Sequence, residues 1–242
     1  MPASIDSDGD PGEELRIFPE ALTHNLELAA TIMMAIAAVL TAWTAFQSSK
    51  WSGVQAIEFS EAGAARTEST VFSTRAGQQA LVDISGFTNW LNALQADIRA
   101  GAVDPPPSAA EYEPAFDSLS GFLFVRFREE FKPAVDAWLD TDPFTDPEAP
   151  TSPFVMPEYD LEANNMADDL MNAADESARL ARVANQNSDD YVINAVLAAM
   201  VLFFAGLSTK LLRPRNRLLT LGLGVVLLGF TVYLVVRLPI EI

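Results

Sequence analysis

Residues 28–49 read "LAATIMMAIAAVLTAWTAFQSS", 22 positions without a charge, and residues 50–70 continue at once as "KWSGVQAIEFSEAGAARTEST". A helix needs roughly 20 residues to cross about 30 Å of hydrocarbon, so the first stretch has the length and polarity of a membrane span. The second stretch keeps helical spacing but carries Glu58, Glu61, Arg66 and Glu68. It is either a reaction centre or the wet continuation of the same helix.

The rest of the chain favours the continuation. Two further windows lack charge, Tyr191 to Thr209 and Leu218 to Val236, each of 19 residues. Soluble core helices rarely stay uncharged on every face for about five turns, so three transmembrane helices are expected. The intervening segment is different in kind: Lys50 to Asp190 holds 25 acidic and 9 basic residues, net −16, in a chain of net charge −18. Such a segment repels phosphate backbones, which excludes nucleic acid as a partner.

Basic residues set the direction. The connection "KLLRPRNR" contains Lys210, Arg213, Arg215 and Arg217 without an acid, and the positive-inside rule places it in the cytoplasm. The expected layout is then an acidic cytoplasmic segment 1–27, span 28–49, an extracytoplasmic domain 50–190, span 191–209, a basic loop 210–217, span 218–236 and an external tail 237–242. The acidic start lacks a basic n-region, so the first span is read as an uncleaved signal anchor. Trp43, Trp51 and Tyr191 fall near the outer boundary, where aromatic anchors belong.

Outside the spans, apolar residues recur every three or four positions. One stripe runs Phe72, Ala76, Ala80, Ile84, Phe87, Leu91, Leu94, Ile98, with a kink or break expected between Gly77 and Gly86 and an end near "RAGAVDPPPS". A second runs from Phe116 to Trp138, and a third, Met166, Leu170, Ala173, Ser177, Ala181, Ala184, leads from about Glu158 into the second span. The fold class that follows is an all-α membrane protein whose first two spans extend outside into an antiparallel helical bundle. Facing positions would sum to about 238, bringing complementary charges together: Lys50 with Asp189 and Asp190, Glu58 and Glu61 with Arg179 and Arg182, Arg66 with Asp175 and Glu176. These ten residues are the candidate interhelical ion-pair layer, which would specify register more than it adds stability.

Chemistry finds little to build on. There is no cysteine, hence no disulfide or thiolate site, and one histidine, His24, ahead of the first span. Glu58 and Glu61 share a helix face, but a carboxylate-bridged metal bundle adds a histidine three residues after a glutamate, and none is present. Phosphate loops, nucleophile elbows and zinc spacings are also missing. No catalytic, cofactor or metal residue is assigned. The spans hold no mid-membrane charge, as a monomeric pump would need, although an oligomeric pore could be lined by backbone or apolar groups.

Four strings taken together, "KWSGVQA", "AGQQALVDISGFTNWLNA", "SPFVMPEY" and "ANQNSDDYVINAVLAAMVLFFAGLSTKL", resemble a family of uncharacterised bacterial, actinobacterial-type inner-membrane proteins with three spans and a helical extracytoplasmic domain. The resemblance implies the topology and the inner membrane, and no catalytic residue or cofactor. The expected function is a membrane-anchored helical scaffold that self-associates or docks an extracytoplasmic or membrane protein. A pore or transport subunit and an extracytoplasmic sensor signalling through a partner are the alternatives.

Overall fold

The computed structural model describes residues 20–106, 108–110 and 112–242; the acidic lead-in, residues 1–19, lies outside the described residues. Five α-helices follow in order: α1 Glu20–Arg99, α2 Leu119–Phe124, α3 Lys132–Leu139, α4 Glu162–Lys210 and α5 Pro214–Arg237. A short 3-10 turn occupies Pro153–Val155, and no strand occurs among the described residues. Contacts divide the chain into two units, one comprising residues through Ser60 with Ala178–Ile242, the other Glu61–Ser177.

Helix α1 runs 80 residues because no proline follows Glu20 until Pro105, and Gly77 and Gly86 do not break it. It ends where a glycine can take the left-handed turn. Gly101 has φ +67°, its N–H donates to the Ile98 carbonyl and the Ala102 N–H to that of Asp97, the paired bonds of a Schellman cap. The expected single helix from Phe116 to Trp138 is instead two. Proline lacks the N–H that a helix interior requires, so Pro133 obliges the chain to start afresh, and it stands in the first turn of α3. Upstream, the Ser118 hydroxyl caps α2 by accepting from the Gly121 N–H at 3.0 Å. Pro214 likewise begins α5 inside the expected 210–217 loop, leaving only residues 211–213 between α4 and α5.

Three helices, α1, α4 and α5, are long and apolar enough to cross a membrane. Their apolar windows are only 22%, 28% and 17% buried, respectively. The exposed remainder includes Val39, Phe46, Phe203 and Val226. In the first unit the inward faces combine small residues with a few larger ones. Ala30, Met33 and Ala37 of α1 pack with Val201 and Ala205 of α4 and Leu221 of α5. At one end of this packing, nearly buried Arg217 lies 3.2 Å from Glu27.

In the second unit, buried positions of α1 include Ala62, Ser69, Ala76, Asp83 and Trp90, seven apart, and beyond Asp83 also Phe87, Ala93 and Leu94. The α4 residues buried there are Ala163, Ala167 and Ala174. The Ser69 hydroxyl donates directly to the Ala167 backbone carbonyl at 2.8 Å, an approach that only small side chains permit. Both expected stripes are therefore shifted by one residue over part of their length. Ile84 is 45% exposed while Asp83 is buried, and Met166 is exposed while Ala167 is buried.

Candidate functional site

The chemistry of the second unit is organised by an aromatic cluster. Phe87, Trp90 and Leu94 from one face of α1 meet Phe127, Phe131, Val135, Trp138 and Leu139 from the segment that returns along α2 and α3. Phe87 meets Trp138 edge-on at 5.2 Å, and Phe131 stacks on Phe154 at 5.2 Å. The polar edges of the two tryptophans are satisfied, Trp90 Nε1 donating to Tyr112 Oη at 3.2 Å and Trp138 Nε1 to the Pro150 carbonyl at 2.7 Å. The cluster fixes the returning segment on α1.

That fixation places a charge network at the cluster's border. Asp83 lies one turn before Phe87, and its side chain is 1% exposed. Arg128, next to Phe127, reaches it with both prongs: Nε to Oδ1 at 3.0 Å and Nη2 to Oδ2 at 3.1 Å. The third guanidinium nitrogen, Nη1, donates to Glu130 Oε2 at 2.7 Å, and the Tyr159 hydroxyl donates to Asp83 Oδ2 at 3.3 Å. A bidentate arginine with further hydrogen bonds is the arrangement that satisfies the oxygens of a buried carboxylate. Burial, and then the Asp83 charge, push the Tyr159 phenol from 10.0 up to about 12.

Glu130 carries this network to the surface, where it lines a cleft of about 280 Å³ with Phe72, Arg75 and Gln79 of α1 and Glu162 and Met166 of α4. Arg75 and Glu162 are exposed, and Gln79 Oε1 is buried with no donor among the described residues. Among the described residues no group of three His, Asp or Glu side chains converges as a metal site requires.

Of the ten residues in the expected ion-pair layer, Arg66 and Asp175 are brought together, at 3.3 Å. Both side chains are about half or more exposed, and pairs of this kind contribute little. Glu58 is half-buried and Glu61 and Arg182 are exposed; none of the three makes an ion pair among the described residues. Glu176 and Arg179 are exposed and engaged in contacts. Asp189 and Asp190 accept from Asn185 and Gln186, one turn earlier, each at 3.0 Å, while Lys50 is half-buried.

The expected boundary aromatics take different parts. Trp43 is exposed beside Phe46, but Trp51 and the fully buried Tyr191 both donate to the Pro239 carbonyl, at 3.1 and 3.2 Å. Gln47, also fully buried, completes a clasp on the extended residues after α5. Its Nε2 donates to the Glu241 carbonyl and its Oε1 accepts from the Glu241 N–H, both at 3.0 Å. Nearby, Ser188 is shared between Ser48 and Ser52, with hydroxyl separations of 3.0 and 2.9 Å.

Asp83, Arg128, Glu130 and Tyr159 do not stand out by residue type. The signal that reveals Asp83 is its place in the seven-residue series through Ala76 and Trp90, a carboxylate in phase with a buried face. No family model, curated protein or solved structure matches the chain.

Proposed function

We propose that this chain is a non-enzymatic, membrane-anchored scaffold of a bacterial inner membrane that docks a protein partner, or another copy of itself, through its acidic outer domain. The observation that carries this reading is the exposure of large apolar side chains outside the apolar windows. Val71 is 62% exposed, Leu81 68%, Val82 60%, Phe116 77% and Leu119 60%. Lipid does not reach residues 61–177 in the proposed topology, so such side chains are accounted for by protein contact.

The rest of the topology is part of the same proposal. Lys210, Arg213, Arg215 and Arg217 favour a cytoplasmic α4–α5 connection. Antiparallel pairing of α1 and α4 is supported by contacts whose partner numbers fall as those of α1 rise. In one unit these are Arg66 with Asp175 and Ser69 with Ala167; in the other, Met33 and Ala37 pack in the cluster with Val201 and Ala205, ahead of Ser48 with Ser188. The resemblance to three-span bacterial proteins points the same way.

The absence of cysteine makes the test clean. Ser85→Cys and Asn216→Cys, each a lone thiol, are exposed to a membrane-impermeant maleimide on intact cells, followed by photo-crosslinking from Val82. Labelling at 85 alone, with a crosslinked adduct, is expected. Labelling at 216 alone would overturn the orientation, and a strictly monomeric, adduct-free protein would overturn docking.

A further inference from the structure

The cleft beside the Asp83 network presents a complete set of complementary groups that the docking reading does not use. Two carboxylates line it, those of Glu130 and Glu162, together with the side chain of Gln79. One cation, Arg75, lines it too, exposed and without an ion pair among the described residues. Phe72 and Met166 supply an apolar side. Glu130 is not free to swing away, since Arg128 holds its Oε2 at 2.7 Å and is itself locked by buried Asp83.

We infer that this cleft binds a small zwitterion bearing an ammonium and a carboxylate on one carbon, an α-amino acid with an apolar side chain. An ammonium has three N–H donors and carries the charge that the Glu130 and Glu162 carboxylates complement. A carboxylate suits the planar fork of Arg75. Phe72 and Met166 then take an aliphatic, aromatic or thioether side chain. Other solutes fit less well. A phosphate or dicarboxylate meets two glutamates, and a simple organic cation leaves Arg75 beside it unpaired. The volume, about 280 Å³, lies just below the roughly 300 Å³ at which drug-sized sites begin, so the occupant is a single small molecule.

The site would make the outer domain a receiver for a solute, and its test does not depend on topology or on a docking partner. Full-length protein in nanodiscs is titrated calorimetrically with L-methionine, L-leucine and L-phenylalanine. N-acetyl-L-methionine, which lacks the ammonium, and L-methioninol, which lacks the carboxylate, are the comparison probes. Saturable binding of at least one amino acid with a Kd between about 10 µM and 1 mM is expected, weakened at least about tenfold for the two L-methionine derivatives relative to L-methionine when that is the amino acid bound. Arg75→Gln should weaken the amino acid about tenfold while leaving L-methioninol unchanged, and Glu162→Gln should do the same with respect to N-acetyl-L-methionine. Both positions are exposed, so neither variant endangers the fold. The absence of saturable heat with all three amino acids up to about 10 mM overturns the inference. So does binding that is unchanged in both variants. Failure here leaves the docking proposal standing, because the maleimide and crosslinking results are read separately.

Discussion

Replacing Arg128 by methionine should expose how much of the second unit depends on one buried carboxylate. The substitution keeps the aliphatic stem and removes the two bonds to Asp83, at 3.0 and 3.1 Å, leaving a carboxylate that is 1% exposed with the Tyr159 hydroxyl as its remaining donor. Hydrogen bonds to charged groups are worth about 1.5–3 kcal/mol each, and breaking a buried pair costs about 3–5 kcal/mol. The Arg128 side chain is 25% exposed, so water reaches the vacated space and the lower end applies, about 3 kcal/mol. At roughly 4 °C per kcal/mol this lowers Tm by about 12 °C. The assay is a fluorescence melt of the full chain in nanodiscs with Trp43 and Trp51 changed to phenylalanine, so that the signal comes from Trp90 and Trp138, both buried in the aromatic cluster. The double variant Asp83→Leu with Arg128→Met should recover most of the loss, because no charge is then buried alone. A shift below about 3 °C for Arg128→Met, or a double variant no better than the single, would refute this account of the network.

Two other outcomes follow from neighbouring contacts. The folded protein holds the Tyr159 proton up to about pH 12 whereas an unfolded chain releases it near 10.0, so the associated stability is complete below pH 10.0 and is lost as pH rises towards 12. Melts across that window should fall more steeply for wild type than for Tyr159→Phe, and parallel slopes would contradict the coupling. Gln47→Ala removes the acceptor of the Glu241 N–H, and hydrogen exchange at that amide should accelerate about tenfold or more; an unchanged rate would mean that the clasp does not hold residues 239–241 in place.

The three apolar helices were readable from uncharged run length, and the helical class from that together with the three-or-four spacing of apolar residues between the runs. Helix ends were readable where the terminating residue acts locally, as Gly101 does. Pro133 and Pro214 were harder to place, since a proline reads equally well as a boundary and as the first turn of a new helix. The site was hidden for a different reason. A stripe built from the largest apolar side chains selects Ile84 and Met166, whereas close helix contact selects their smaller or polar neighbours, Asp83 and Ala167. The Asp83–Arg128 pair spans 45 residues, and only the aromatic cluster brings its two members together.

The alanines at 167 and 174 in one unit, and at 181, 184 and 198 in the other, set a local ceiling on volume at the places on α4 where they are buried. Each removes little apolar area from water, so no single one is a keystone, and trimming to glycine mainly costs helix propensity, about 1 kcal/mol. Enlargement acts differently, because a branched side chain must push a neighbouring backbone outward along several residues at once. At these alanine positions the restriction that sequence change meets therefore concerns bulk rather than polarity: serine or glycine is expected to pass at 167, 174, 181, 184 and 198 where valine is not. Ser188 in line with them is already small, and larger buried side chains on α4 are confined to other positions such as Tyr191 and Val201.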